Sequence, residues 1–211
     1  IFNHWFKKYK INAKYSYLQL NKKNFDKKIR LVIKDKNIQG LNVTIPFKQK
    51  IMKHINLLDI HSKKIKAVNC VDLRSIVRGI NTDWEGYYKT LPKINNIKNK
   101  EILIIGYGGA ALAIHYVLLQ KGFKKINIVN RTRKKIRFIK KIQFTKSLNT
   151  LGRYLEHADL IINTTPTNPI THKNKRLVKK KTILSDIVYN PKSESSYLYL
   201  SPQSIVSSHL A

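Results

Sequence analysis

The chain has 211 residues, 42% of them hydrophobic and 9% aromatic, enough to bury a substantial core in one large or two small domains. Its 42 Lys and Arg against 11 Asp and Glu leave a formal net charge of +31. A single cysteine, Cys70, excludes an intramolecular disulfide and most structural zinc sites, and no apolar run approaches the ~18 residues that suggest a membrane span.

The charge alone suits nucleic acid or an anionic membrane surface. The lysines, however, run from Lys7 to Lys192 without gathering into one basic block, and they accompany abundant isoleucine and asparagine. That pattern marks a bias of the whole composition, so neither a nucleic-acid nor a membrane partner is expected. The positive field remains useful for gathering anionic ligands. Ile1 to Lys10 mixes aromatics with lysines and lacks the apolar stretch of a secretory signal, and a cytoplasmic location is expected. The chain opens on Ile1 without a methionine, and Lys192 to Ala211 are serine-rich with few charges. Missing residues upstream and a truncated or altered terminus downstream are therefore expected.

Taken in chain order, alternation over Lys14 to Leu20 predicts a strand with Ala13, Tyr15 and Tyr17 on one face. Phe25, Ile29, Val32 and Ile33 have helical spacing over 24–36, with Asn24 as a cap. Leu41 to Ile45 predicts a strand that must stop at Pro46, which has no N–H for a ladder. Lys48 follows at the strand-to-helix corner. Helical segments are expected at 49–55 and 59–64, and a strand pair at 67–73 and 76–80. Asp83 is placed to cap a helix over 84–91, and 92–100 reads as a polar linker. Ile102 to Ile105 is an apolar run ending in Gly106, followed by a helix to Gln120 with Gly122 as terminator. Further strands are expected at 125–129, 159–163 and 182–188. Strands alternating with helices predict an α/β protein with a doubly wound parallel sheet in its second half. Two domains are expected, 1–92 and 93–211, with a cleft between them.

Gly106-Tyr107-Gly108-Gly109-Ala110 follows a strand and opens a helix, the context in which a glycine loop holds a dinucleotide pyrophosphate against a helix N-terminus. A plain tight βα turn is the bland alternative. At the end of the next strand an NAD-type fold presents a carboxylate to the ribose. Here the residues are Asn130, Arg131, Thr132, Arg133, Lys134 and Lys135, with no carboxylate. That set attracts an adenosine 2′-phosphate, which Arg131 can clamp bidentately, so the cofactor expected is NADP. Lys134 reads equally well as one more lysine of a basic chain. The histidines show no metal-ligand spacing, and no metal is expected.

Asn42-Val43-Thr44-Ile45-Pro46-Phe47-Lys48 closely resembles the signature of the shikimate dehydrogenases. Ala67-Val68-Asn69, Gly79 to Gly86, the loop at 106–113, Asn130-Arg131-Thr132, Ala158 to Pro166 and Asp186 to Pro191 resemble that family's other motifs, in the same order. The resemblance covers about residues 1–191. It implies a two-domain α/β fold with an N-terminal substrate domain and a Rossmann-like NADP domain. It further implies reduction of 3-dehydroshikimate to shikimate, an oxidoreductase step of aromatic amino-acid biosynthesis, by a monomer or homodimer. Carried over by position, Lys48 is the proton donor and acceptor, and Asp83 bonds both Lys48 and a substrate hydroxyl. Thr44 and Asn69 hold ring substituents, Tyr189 faces the substrate, and Ile187 lies by the nicotinamide. The cofactor loop residues are Gly106, Tyr107 (where the family has alanine), Gly108, Gly109 and Ala110, with Asn130, Arg131, Thr132, Arg133 and Lys135 around the 2′-phosphate. Phe2-Asn3-His4 resembles the segment just after the family's Ser-x-Ser carboxylate motif, which is not in this chain. The family's Leu-Gly-Met after Thr165-Pro166 is replaced by Thr167-Asn168-Pro169, and its C-terminal glutamine segment is not found after Pro191. The rival readings are a quinate/shikimate dehydrogenase using NAD, and a non-catalytic NADP-binding remnant.

Overall fold

Ile102, Leu103, Ile104 and Ile105 are apolar without alternation, the mark of a parallel strand covered on both faces. The computed structural model describes residues 2–91, 96–167, 169–187 and 205–207 and bears this out. Alternate residues of the run enter two different cores. Ile102 and Ile104 join one cluster with Ile114, Val117, Leu160 and Ile162, while Leu103 and Ile105 join another with Val129, Leu151, Leu155 and Ile161. Full burial of each such side chain is worth about 1.5–3 kcal/mol.

The chain divides into two compact units, residues 1–39 and 40–211. The first holds α1 (Phe2–Lys8) and α2 (Phe25–Lys34). As expected, α2 buries Phe25 and Ile29 and half-buries Val32 and Ile33. Asn24 does not cap the helix through its side chain; instead Asn24 and Asn21 each accept a hydrogen bond from the other's backbone N–H. The strand expected over 14–20 is not formed. Alternation makes a strand only beside a partner ladder, and this unit contains no other strand among its described residues. The Asn3 side chain brackets the backbone of Tyr15 from both sides, and Tyr17 is 97% exposed.

The second unit contains two sheets. A four-stranded sheet is ordered β1-β3-β4-β2, from β1 (Gly40–Asn42), β2 (Leu57–Leu58), β3 (Cys70–Asp72) and β4 (Arg78–Ile80). The expected strand pair is present, antiparallel, with Cys70 opposite Ile80. A 3-10 turn spans Lys50–His54, and α3 (Ile60–Ile65) is capped by Asp59, whose carboxylate accepts from the N–H groups of His61 and Ser62. α4 (Asp83–Thr90) follows β4; Thr82 at its N-cap makes no side-chain cap bond, and Asn81 just before it, rather than Asp83, satisfies the first N–H groups. The Asn81 side-chain oxygen accepts from the N–H of Asp83 and of Trp84, leaving the Asp83 carboxylate free to turn elsewhere.

The larger sheet takes β5 (Glu101–Ile105), β6 (Lys125–Asn130), β7 (Lys146–Ser147), β8 (Leu160–Asn163), β9 (Ile183–Asp186) and β10 (Ile205–Ser207) in the order β10-β9-β8-β5-β6-β7, all parallel. This is the doubly wound order whose direction of winding reverses between β5 and β8. The helices are α5 (Gly109–Gln120), α6 (Leu151–Leu155) and α7 (His172–Lys175). α5 is buried from Ala111 to Leu118 because it lies against the sheet on one side and against α3 and α4 on the other. Tyr87 of α4 reaches across to donate a hydrogen bond to Ser185 of β9. Among the described residues no helix is long and apolar enough to cross a membrane.

His115 sits in this apolar helix at 2% exposure, and burial pushes its pKa down to about 4. In the unfolded chain it titrates near 6.5, so below that pH only the unfolded state takes up the proton. Its contribution is complete above about pH 6.5 and is lost as the pH falls toward 4, a change of about 3 kcal/mol. Urea midpoints at pH 7 and at pH 4 check this: the fall should be smaller by that amount in His115→Leu.

Candidate active site at the end of the parallel sheet

Lys48 is set in place by its own backbone before its side chain is considered. The turn from Thr44 closes with Phe47 N–H donating to the Thr44 carbonyl at 2.8 Å, after a cis Ile45–Pro46 peptide. The Lys48 carbonyl then accepts from Val68 N–H at 2.7 Å, tying it to the 67–69 segment. The stem is thus anchored and the ammonium reaches Asp83, Nζ to Oδ2 at 2.7 Å, with the two side chains 14% and 10% exposed. The other carboxylate oxygen accepts from Asn69 Nδ2 at 2.8 Å. Asn69 is itself held, donating also to Thr82 Oγ1 and accepting from Thr82 N–H. Asn81 locks the same turn by donating to the Ala67 carbonyl at 2.9 Å. Lys48, Asn69 and Asp83, distant in sequence, therefore form one cluster. Thr44 lies exposed in the turn leading to Lys48.

Cys70, beside this cluster, is half-buried; burial first, then the Asp72 carboxylate, push its thiol pKa up. A thiol held protonated is a packing group rather than a nucleophile.

The glycine loop lies against the lysine. A Cβ added to Gly109 would meet Lys48 Cβ at 2.9 Å, so the first residue of α5 touches the lysine stem. Gly106, at φ +94°, packs on the loop after β8, where an added Cβ would lie 2.5 Å from Thr164 Oγ1. A Cβ on Gly108 would meet nothing within 4 Å, and Gly108 offers α5 no side-chain cap. That open backbone face at a helix N-terminus, at the point where the sheet reverses its winding, fits a pyrophosphate. Thr164 Oγ1 donates to the Ile105 carbonyl, and Asn163 binds Asp186 Oδ2 and both the N–H and the hydroxyl of Thr165. These residues shape the crevice floor. Their Asn-Thr-Thr-Pro run was the signal for them in the sequence.

Around the second strand end, Arg131, Thr132, Arg133 and Lys135 are exposed, with the Arg133 guanidinium 4.3 Å from the centre of the Phe144 ring. Asn130 uses its side chain on the protein, accepting from Tyr107 N–H and donating to the Thr132 carbonyl. Lys134, read equally as a bystander, donates to the Tyr107 carbonyl at 3.1 Å. Ala110 lies half-buried in the first turn of α5. Ile187 is half-buried against the core, its N–H bonded to the Asn163 carbonyl. Tyr189 lies outside the described residues.

Residues 1–71 match the model of the shikimate dehydrogenase substrate binding domain, and residues 89–191 match that of shikimate / quinate 5-dehydrogenase. A shikimate dehydrogenase (NADP(+)) of Clostridium botulinum (strain 657 / Type Ba4) is 36% identical over 203 residues, covering 91% of this chain and 77% of the relative. The chain belongs to the shikimate dehydrogenase family. Another member, the shikimate dehydrogenase (NADP(+)) of Methanobrevibacter smithii, is 35% identical over 173 residues, 75% of this chain and 61% of that one, so the match takes in less than two thirds of that relative's length. The solved shikimate dehydrogenase of Thermotoga maritima superposes with a TM-score of 0.71 at 31% identity, over 90% of this chain and 73% of that one. A shikimate dehydrogenase solved in complex with NADP+ gives 0.64 at 28% identity, over 91% and 72%. These solved relatives are two-domain α/β proteins with a Rossmann-like domain, and the mixed α/β fold with a parallel sheet described above is of that class.

Proposed function

We propose that this chain carries the NADPH-dependent reduction of 3-dehydroshikimate to shikimate. The observation behind the reading is the Lys48–Asp83 ion pair on a lysine whose stem lies against the glycine loop at Gly109. A ketone reduction needs a hydride source and a proton donor at one carbonyl, and this packing brings the two together. When bound, NADPH supplies the hydride. Lys48 gives its proton to the oxygen as the carbonyl carbon takes the hydride, and recovers it in the reverse direction. Asp83, with one oxygen held by Asn69, fixes the ammonium and accepts a substrate hydroxyl. Thr44 and Asn69 hold the other ring substituents, and Ile187 lines the nicotinamide side. Backbone N–H groups of Gly108, Gly109 and Ala110 hold the pyrophosphate, and Arg131, Thr132, Arg133 and Lys135 hold the 2′-phosphate.

In this reading residues 1–92 serve the substrate and 93–211 the cofactor, supported by the presence of one sheet on each side of that boundary. The protein works in the cytoplasm as a monomer or homodimer, without nucleic acid. The deciding assay mixes the chain with NADP+ and shikimate, and separately with quinate or NAD+. NADPH formation from shikimate is expected; a folded chain that binds NADP+ yet forms none overturns the reading.

Arg131 is exposed, so its removal tests the cofactor preference without disturbing the core. Losing one charge-assisted contact to the 2′-phosphate, about 1.5–3 kcal/mol, lowers kcat/KM for NADPH by about 10–100-fold in Arg131→Ala. The value for NADH, which lacks that phosphate, should change by less than about twofold. Steady-state rates with both cofactors check it.

A further inference from the structure

The connection between β6 and β7 is unusual for two parallel neighbours. Residues 131–145 contain no helix, although a crossover of this kind is usually helical. The chain instead folds back on itself through a bridge between Lys135 and Phe144, with Ile136 N–H bonded to the Gln143 carbonyl and Thr145 N–H to the Lys134 carbonyl. This hairpin-like loop carries Arg131, Arg133, Lys134 and Lys135. A crossover helix would have anchored them along its length; here the anchoring must come from a few contacts.

Most of those contacts converge on Tyr107. It is 4% exposed, so its ring is folded under the loop rather than directed at a ligand. Its N–H donates to Asn130 Oδ1, its carbonyl accepts from Lys134 Nζ, and its hydroxyl accepts from Arg137 N–H at 3.0 Å. The hydroxyl also lies 3.0 Å from His115 Nδ1. Phe138 of the loop packs on the rings of His115 and Tyr116. One residue of the glycine loop thus meets the chain at Asn130, Lys134 and Arg137, the entry and first half of the cation-bearing loop.

We propose that Tyr107 is a positioning residue for recognition of the adenosine 2′-phosphate, acting through the 131–145 loop; this rests on the NADP reading above. The alanine that the resembling motif has at this place carries no hydroxyl to hold Arg137 N–H. The test is binding to the full chain, by calorimetry, of adenosine 2′,5′-bisphosphate and of adenosine 5′-monophosphate. Tyr107→Phe keeps the ring and removes the hydroxyl. It should weaken the bisphosphate about tenfold, the loss of about 1.4 kcal/mol of preorganisation, and change the monophosphate by less than about twofold. Equal loss for both nucleotides, or no loss, overturns the proposal, since a merely structural residue would not tell them apart. Arg131→Ala separates the two ideas: if it leaves bisphosphate binding unchanged, the 2′-phosphate reading itself fails. Should Tyr107→Phe not fold, hydrogen exchange in the unaltered protein decides. The Arg137 amide should exchange more slowly with the bisphosphate bound than with the monophosphate, because coupling between the two places is reciprocal. Equal exchange overturns the proposal.

Discussion

Lys48→Ala is expected to lower kcat by about 10³-fold, in the middle of the 10²–10⁴ range typical of a positioned acid or base, while NADP+ binding stays within about threefold. The asymmetry follows from where the side chain ends and where it starts. Its ammonium is spent on Asp83, on the substrate side, and only its stem meets the glycine loop at Gly109. Alanine retains the Cβ that faces Gly109, so the wall of the loop is preserved and the proton is removed. The Asp83 carboxylate then keeps Asn69 as its partner but loses the ammonium. With that group nine-tenths buried, the variant should also be less stable by about 1–3 kcal/mol unless water enters. Stopped-flow reduction with saturating NADPH, together with NADP+ titration, separates the two effects. Normal turnover by the variant overturns the proton-donor role of Lys48. Asp83→Asn provides the complement: it keeps the hydrogen bond to a substrate hydroxyl but removes the charge that fixes the ammonium, so kcat should fall less than in Lys48→Ala.

What could be read from the sequence and what could not divides along a physical line. The apolar run 102–105, the glycine loop and α5 are local: strand, turn and buried helix are each written into consecutive residues. The doubly wound sheet follows from them. β7 is two residues long and has no periodicity to detect, and the alternation at 14–20 is a pattern without a partner. The pairing of Lys48 with Asp83 spans 35 residues and no spacing rule reaches it. It came from the resemblance alone, and the fold accounts for it by tying the Lys48 carbonyl to Val68 and the Asn69 side chain to Thr82. In the sequence alone Asp83 reads as a cap, because an acid at a helix start normally is one. Asn81 performs that task and so leaves the acid for the lysine. Tyr107 carried a signal, a bulky residue inside a glycine loop, but its meaning depended on a crossover without a helix, which becomes visible only once β6 and β7 are seen to pair.

Gly106→Ala is expected to destabilise the second unit by about 2–6 kcal/mol, the sum of two independent costs of about 1–3 kcal/mol each. The first is conformational. Gly106 has φ +94°, a region L side chains rarely adopt, and a forced non-glycine residue there costs of order 1–3 kcal/mol. The second is steric. The new methyl would lie 2.5 Å from Thr164 Oγ1 and 2.8 Å from Thr165 Cγ2. Thr164 cannot swing aside freely, because its hydroxyl is bonded to the Ile105 carbonyl at 2.8 Å, and Thr165 is held by Asn163. The two strand ends at the winding reversal would have to separate, and the crevice proposed above for the pyrophosphate lies on them. Urea unfolding should therefore show a lower midpoint, and NADP+ binding should weaken even at temperatures where the variant is fully folded. Thr164→Ser removes only a methyl group and keeps the hydroxyl that the new Cβ meets, so it should not rescue Gly106→Ala. Thr164→Ala removes the clashing oxygen. In the double variant it should recover the part of the steric cost due to Thr164, leaving the 2.8 Å contact with Thr165 Cγ2 and the whole conformational part. A Gly106→Ala chain as stable as the parent, or a double variant restored completely, would show that the positive φ is not what this position requires.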